Sequence, residues 1–290
     1  MPFVLALSAL LALLIGVVLG MLGGGGAILT LPLLVYVLHL EPKTAIATSL
    51  FVVGTTSAVA TVMHARAGAV RWKIAAIFGL AAVAGAYSGG RLARHIPATA
   101  LLVLFGVVMV TTSLAMLRAK TAPEPTTTER ALRLGRMVVL GAAVGVLSGL
   151  IGAGGGFLIV PVLSLFGGLS LREAIGTSIF VITFQSFAGF VGHTAHVELD
   201  WTLVLELSGA AAVGSIVGSA AGAKVPTNLL RRAFAWLVLA MGLFMFATNL
   251  QPRLAIVASG LTLLAIGAPI VGFASLVVSR RSLAGSPAPA

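Results

Sequence analysis

The sequence predicts an all-α polytopic membrane protein built from two inverted repeats, each carrying a glycine-broken or re-entrant helix. Three observations lead there. The 290 residues are 59% hydrophobic and 9% charged, with a mean hydropathy of +1.14, whereas soluble domains carry about 25% charged residues. Too little polar side chain exists to cover a soluble surface, so a soluble enzyme and a disordered chain are both excluded. The apolar residues gather in runs near 3–20, 27–38, 44–63, 74–90, 98–117, 137–149, 157–169, 174–192, 201–223, 229–250 and 254–278. Finally, the chain repeats itself: a shift of 129 residues aligns 16–98 with 145–227 without a gap, and 25 of those 83 positions are identical.

Taken in order, most runs reach the ~20 residues that a helix needs to cross the hydrocarbon core. The runs 27–38 and 157–169 do not, and each follows a glycine cluster, which points to broken or re-entrant helices. The opening run resembles the apolar part of a signal peptide. It lacks a basic segment before it and has a counterpart in mid-chain, so it reads as part of the fold. The chain divides into a first transmembrane repeat (1–117), a polar cytoplasmic linker (118–136), a second repeat (137–250), an additional C-terminal transmembrane helix (251–279) and a disordered tail (280–290). The linker carries Pro123, Pro125 and the run Thr126, Thr127, Thr128, a composition that reads as loop.

The register of the repeat matches residues that shared hydrophobicity would not match: Pro32 with Pro161, Thr48 with Thr177, Ser49 with Ser178, His64 with His193 and Trp72 with Trp201. Loop charge argues for inversion. The loop near 64–73 holds Arg66, Arg71 and Lys73, while its counterpart at 193–202 holds no Lys or Arg. Cations collect on the cytoplasmic side, so equivalent loops on opposite sides imply an odd number of crossings per half. Treating each glycine-broken segment as a hairpin gives five. The net charge of +11, from 18 Lys and Arg against 7 Asp and Glu, is then loop charge. Without a basic stripe interleaved with aromatics, it does not indicate nucleic acid.

Two constellations carry chemistry. The first is the pair of glycine segments around Gly24, Gly25 and Gly26 and around Gly154, Gly155 and Gly156. Glycine lets peptide N–H groups approach a ligand. A helix starting beyond them offers free N–H groups and its positive dipole end, which together make an anion site. The competing reading is close helix packing by small residues. The second constellation is Thr48, Ser49, Thr177 and Ser178. Their hydroxyls can donate to an oxyanion without burying a cation, or bond a carbonyl one turn back or on a neighbouring helix.

A glycine-rich broken helix ending in Leu-x-x-Pro, then Ala-x-(Gly/Ala)-Thr-Ser, then a His and a Trp, twice over, resembles the sulfite exporter TauE/SafE family. The resemblance runs from about Gly16 to Asn249. It implies a multi-pass permease of the cell inner membrane for a small anion such as sulfite or an organosulfonate, working without ATP hydrolysis. Ala27 opposite Gly156 and Ala47 opposite Gly176 are small departures that bear on pocket shape.

Among the isolated polar residues, Gln185 sits in mid-span opposite Thr56. A buried amide there needs protein, water or ligand, so it joins the glycines and hydroxyls as a substrate-binding candidate. Pro32 and Pro161 would shape the helices leaving the glycine turns. His64 and His193 could titrate near neutrality, and Glu206 is a carboxylate inside an apolar run; these five are the gating or coupling candidates. Trp72, Trp201 and Trp236 fit an aromatic belt or packing. Cys is absent, and neither a His-Glu-x-x-His motif nor a Walker lysine motif occurs, so catalytic, metal and cofactor roles are not expected. Apart from the lipid bilayer, the expected partner is a small anion; the sequence leaves the oligomeric state unknown. The expected activity is secondary permeation of a sulfur-containing oxyanion or organosulfonate, exported by alternating access. Proton-coupled uptake of a sulfonate or thiosulfate and an anion channel remain as alternatives.

Overall fold

A computed structural model of the chain describes residues 2–22, 27–118, 134–152, 154–165, 167–195, 197–222, 225 and 227–250. The glycines Gly24, Gly25 and Gly26, most of the 118–136 linker, and the 251–279 helix and 280–290 tail expected from the sequence lie outside these residues.

The described residues form helices: α1 (Pro2–Leu22), α2 (Ala27–Pro32) running into a π-helical turn (Leu33–Val37), α3 (Pro42–Arg66), α4 (Trp72–Ala93), α5 (Ala98–Arg118), α6 (Leu134–Ile151), α7 (Gly156–Leu165), α8 (Leu171–Thr194), α9 (Trp201–Gly222) and α10 (Thr227–Leu250). Six stretches within them are long and apolar enough to cross a membrane, lying in α3, α4, α5, α8, α9 and α10. These are the same three helices in each half. Local chemistry sets several starts: Pro42 opens α3, and the Ser170–Glu173 capping box opens α8. At α9, Asp200 Oδ1 accepts from Thr202 N–H at 2.9 Å.

The two halves interlock residue for residue. α1 lies along α9, and its counterpart α6 lies along α4. A Cβ on Gly16 would meet the backbone of Ala211, and one on Gly145 would meet that of Ala82. Gly214 likewise abuts Leu13 and Val17, as Gly85 abuts Ala142 and Val146. Each of these contacts becomes its partner on adding or subtracting 129. The aromatics obey the same exchange, with Phe51 against Trp201 (5.8 Å between ring centroids) and Phe180 against Trp72 (5.3 Å). The competing reading of the glycines as packing surfaces therefore holds for Gly16, Gly20, Gly145 and Gly149, which form helix seams.

Neighbouring counterparts run in opposite directions. Leu50 of α3 lies beside Gly189 of α8, Gly54 beside Phe187, and Thr61 Oγ1 is 3.2 Å from Thr183 Oγ1. α5 and α10 cross likewise, Gly106 against Met245 and Phe246, and Gly242 against Met109 and Val110. One end of the bundle holds the start of α3 and the end of α4, joined by Lys43 Nζ donating to Arg94 O at 3.2 Å. The other end holds the α3–α4 loop and the start of α8, joined by Arg71 Nε donating to Glu173 Oε1 at 2.7 Å.

Candidate functional site

The site grows from the break between α6 and α7. Gly152, Gly154 and Gly155 have φ of 76°, 62° and 67°, a left-handed conformation that costs a residue with a Cβ about 1–2 kcal/mol. The chain leaves α6 through Gly152 N–H, which donates to Ser148 O at 2.9 Å. It enters α7 through Gly155 O, which accepts from Leu158 and Ile159 N–H, both at 2.9 Å. Gly152 lies against Ile46 near the start of α3, and Gly154 against Val53, the twelfth of that helix's 25 residues. The turn thus carries the chain back from the bundle end toward the middle.

Neutral side chains from two helices brace its carbonyls, and one of them is steadied by a third. Ser49 Oγ donates to Gly152 O at 2.8 Å, and Gln185 Nε2 donates to Gly154 O at 2.5 Å and to Ser148 Oγ at 3.2 Å. The fit is close, since a Cβ on Gly155 would lie 2.6 Å from Gln185 Nε2 and 2.8 Å from Ser148 Oγ. With the carbonyls occupied, the turn's donors remain: among the described residues no group accepts from the N–H of Gly154 or Gly155. These amides stand at the N-terminal end of α7, where the helix dipole places partial positive charge.

Beside them lie buried polar atoms without protein partners, Ser186 Oγ and Gln185 Oε1. Ser186 Oγ is 3.2 Å from where a Gly154 Cβ would stand. Ser57, its repeat counterpart on α3, is also wholly buried with an unpartnered Oγ. Donors without acceptors inside a membrane helix bundle are costly unless a ligand or water meets them.

Of the residues singled out by sequence, Gly154, Gly155, Ser49 and Gln185 meet here, and Gly156 begins α7. Ser49 takes the second of the two roles open to it, giving its single proton to Gly152 O on the neighbouring chain segment, and so holds the turn. Thr177 and Ser178 are elsewhere. Thr177 Oγ1 accepts from Arg71 N–H at 3.0 Å, and Ser178 Oγ donates to Ile175 O at 2.8 Å. Thr48 is buried near the start of α3, and Thr56, opposite Gln185, donates to Val52 O at 2.6 Å.

Pro161 lies inside α7, and Pro32 ends α2 where the backbone widens into the π-helical turn. His193 Nε2 bonds Gly149 O at 2.8 Å, just ahead of the turn, whereas His64 Nε2 is buried without a partner. Glu206 is half-buried near the start of α9. Sequence reading missed Ser57, Ser186 and Ser148. The first two were detectable, being identical in the 129-residue register and immediately following Thr56 and Gln185. Ser148 faces Leu19 in that register and left no signal.

The family model of the sulfite exporter TauE/SafE family matches residues 8–245. A probable membrane transporter protein of Xylella fastidiosa is 35% identical over 240 residues, covering 80% of this chain and 90% of its own length. The probable membrane transporter protein YdhB of Bacillus subtilis is 32% identical over 230 residues, covering 77% of this chain and 91% of its own. A probable membrane transporter protein of Methanocaldococcus jannaschii is 30% identical over 199 residues, covering 65% and 73%. No solved structure matches the chain. With a family match across most of its length and six helices able to cross a bilayer, the chain is a multi-pass membrane protein belonging to the sulfite exporter TauE/SafE family.

Proposed function

We propose that this protein is a secondary permease of the cell inner membrane that exports a sulfur-containing oxyanion or organosulfonate by alternating access of two inverted repeats, 1–117 and 137–250. The observation that carries this reading is the Gly154–Gly155 turn, whose two amides have no acceptor among the described residues, beside the unpartnered Ser186 hydroxyl in the middle of the bundle. Such donors suit an anion whose oxygens accept hydrogen bonds on several sides, and they require no buried cation. Gln185 Oε1 adds one acceptor, which a water or a protonated oxyanion could meet. The opposed directions of counterpart helices support the inversion. Export fits the energetics, because an inside-negative potential drives an anion outward by ~2.3 kcal/mol per charge per 100 mV. None of the turn's bonded partners is a carboxylate that could carry a coupled proton.

The test is flux of radiolabelled sulfite, thiosulfate and sulfoacetate in proteoliposomes of the full chain under imposed potential and pH gradients. Saturable flux of at least one is expected, with the potential alone able to drive it. Obligatory proton cotransport with accumulation would overturn export, and absence of flux for all three would overturn the reading. Ser186→Ala is the informative variant. A hydrogen bond to a charged group is worth about 1.5–3 kcal/mol, so affinity should fall on the order of tenfold or more. Thermal stability should hold, because Ser186 Oγ has no protein partner to lose. Unchanged affinity would remove Ser186 from the site.

A further inference from the structure

We propose that the cavity at the α3-start end of the bundle is an outer subsite for a small, hydrated, multiply charged oxyanion, lying on the path to the Gly154–Gly155 turn. That destination rests on the permease reading above. The cavity has a volume of about 400 Å³ and is lined by Lys43, Arg94, His95, His193 and Val197. Lys43 Nζ donates to the backbone carbonyl of Arg94 at 3.2 Å, and Arg94 Nε donates to His95 Nε2 at 2.7 Å. No carboxylate lines it among the described residues, although Glu41, Glu198 and Asp200 belong to the same end of the bundle.

Like charges gathered in a concave wall focus a positive potential and raise the local anion concentration. At ~30 Å³ per water, the space holds an oxyanion with much of its hydration shell. The narrow glycine turn discriminates among anions, and an exported anion leaving it is held here by charge before release. His193, only 3% exposed, lines the cavity and joins the two places, since its Nε2 bonds Gly149 O, three residues ahead of Gly152. Gly90 makes room for it: a Cβ there would lie 2.7 Å from Gly189 O and 3.2 Å from His193 Cδ2.

The repeat gives independent support. Lys43 corresponds to Arg172 and His193 to His64, and His64 in the last turn of α3 and Arg172 in the first turn of α8 lie at the opposite end. Each end thus combines a cation from one repeat with a histidine from the other. Cation placement gives the cavity its side. Arg66, Arg71, Lys73, Arg118, Arg136, Arg172 and Arg232 belong to the far end, against Lys43, Arg91 and Arg94 near the cavity. The positive-inside rule then sets the cavity outside.

The test uses the natural absence of cysteine. In the full chain carrying Val197→Cys, the reaction rates of two impermeant methanethiosulfonates of similar size are compared, one bearing a sulfonate and one a quaternary ammonium. The anionic reagent should react on the order of tenfold faster. Sulfate should slow it, and Lys43→Gln with Arg94→Gln should abolish the preference. Equal rates, a preference for the cation or no protection by sulfate would overturn the subsite. Labelling needs no transport, so the two ideas fail separately. Charge-selective labelling without sulfite flux defeats the permease reading alone, and flux with charge-blind labelling defeats the subsite alone.

Discussion

Gly155→Ala should abolish sulfite flux and lower the melting temperature of the purified protein. The added Cβ meets two obstacles at once. The backbone at φ 67° charges it about 1–2 kcal/mol. Its position, 2.6 Å from Gln185 Nε2 and 2.8 Å from Ser148 Oγ, also forces Gln185 off the Gly154 carbonyl. Leaving that buried acceptor unmet costs about 1–3 kcal/mol more. The turn then reorients, and the two amides lose the placement proposed for the anion. Gly168→Ala separates strain from site. Gly168 has nearly the same φ, 64°, but nothing within 4 Å of an added Cβ. It should lose a little stability and keep its flux. A Gly155→Ala protein that transports with unchanged KM would show that the substrate binds elsewhere.

The second large effect is structural. Gly145→Leu and its repeat counterpart Gly16→Leu should each prevent recovery of monodisperse protein, read by fluorescence-detected size exclusion. In lipid, helices associate through close backbone approach, which small residues permit. A Cβ on Gly145 would stand 2.8 Å from Ala82 Cα, and one on Gly16 would stand 2.8 Å from Ala211 Cα. Because the obstacle is backbone, the whole helix must move to admit a leucine, and the seam along α4 or α9 opens with it. Gly209→Leu is the control, on the same α9 helix with nothing within 4 Å, and it should fold normally. Equal harm from all three would mean that the effect is not helix contact. Loss at Gly145 with tolerance at Gly16 would mean that the two seams are not energetically equivalent.

The glycines divide between these two roles, and sequence alone did not sort them. Gly145 and Gly149 serve the α4 seam, while Gly154 and Gly155, a few residues later, serve the turn. All read as small residues in an apolar run, and the distinction lies in φ and in what stands opposite. The hydroxyls behaved similarly. Ser49 and Ser178 are identical partners in the repeat, yet Ser49 reaches Gly152 O across 103 residues of sequence while Ser178 bonds Ile175 O on its own helix. A hydroxyl has one proton, and the nearest acceptor in space decides where it goes.

Sequence by itself determined that this chain lives in a bilayer, because too few charges exist to face water. It also determined that the chain is a duplicated helical unit, because Pro, His, Trp and Thr-Ser cannot fall in one register by shared hydrophobicity. Tertiary structure alone decided which donors stay unpaired at Gly154, Gly155 and Ser186, and which cations gather at Lys43 and Arg94. Those outcomes depend on neighbours brought in from distant helices, and hydrogen bonding and electrostatics are settled over a few ångströms of space, whatever the separation along the chain.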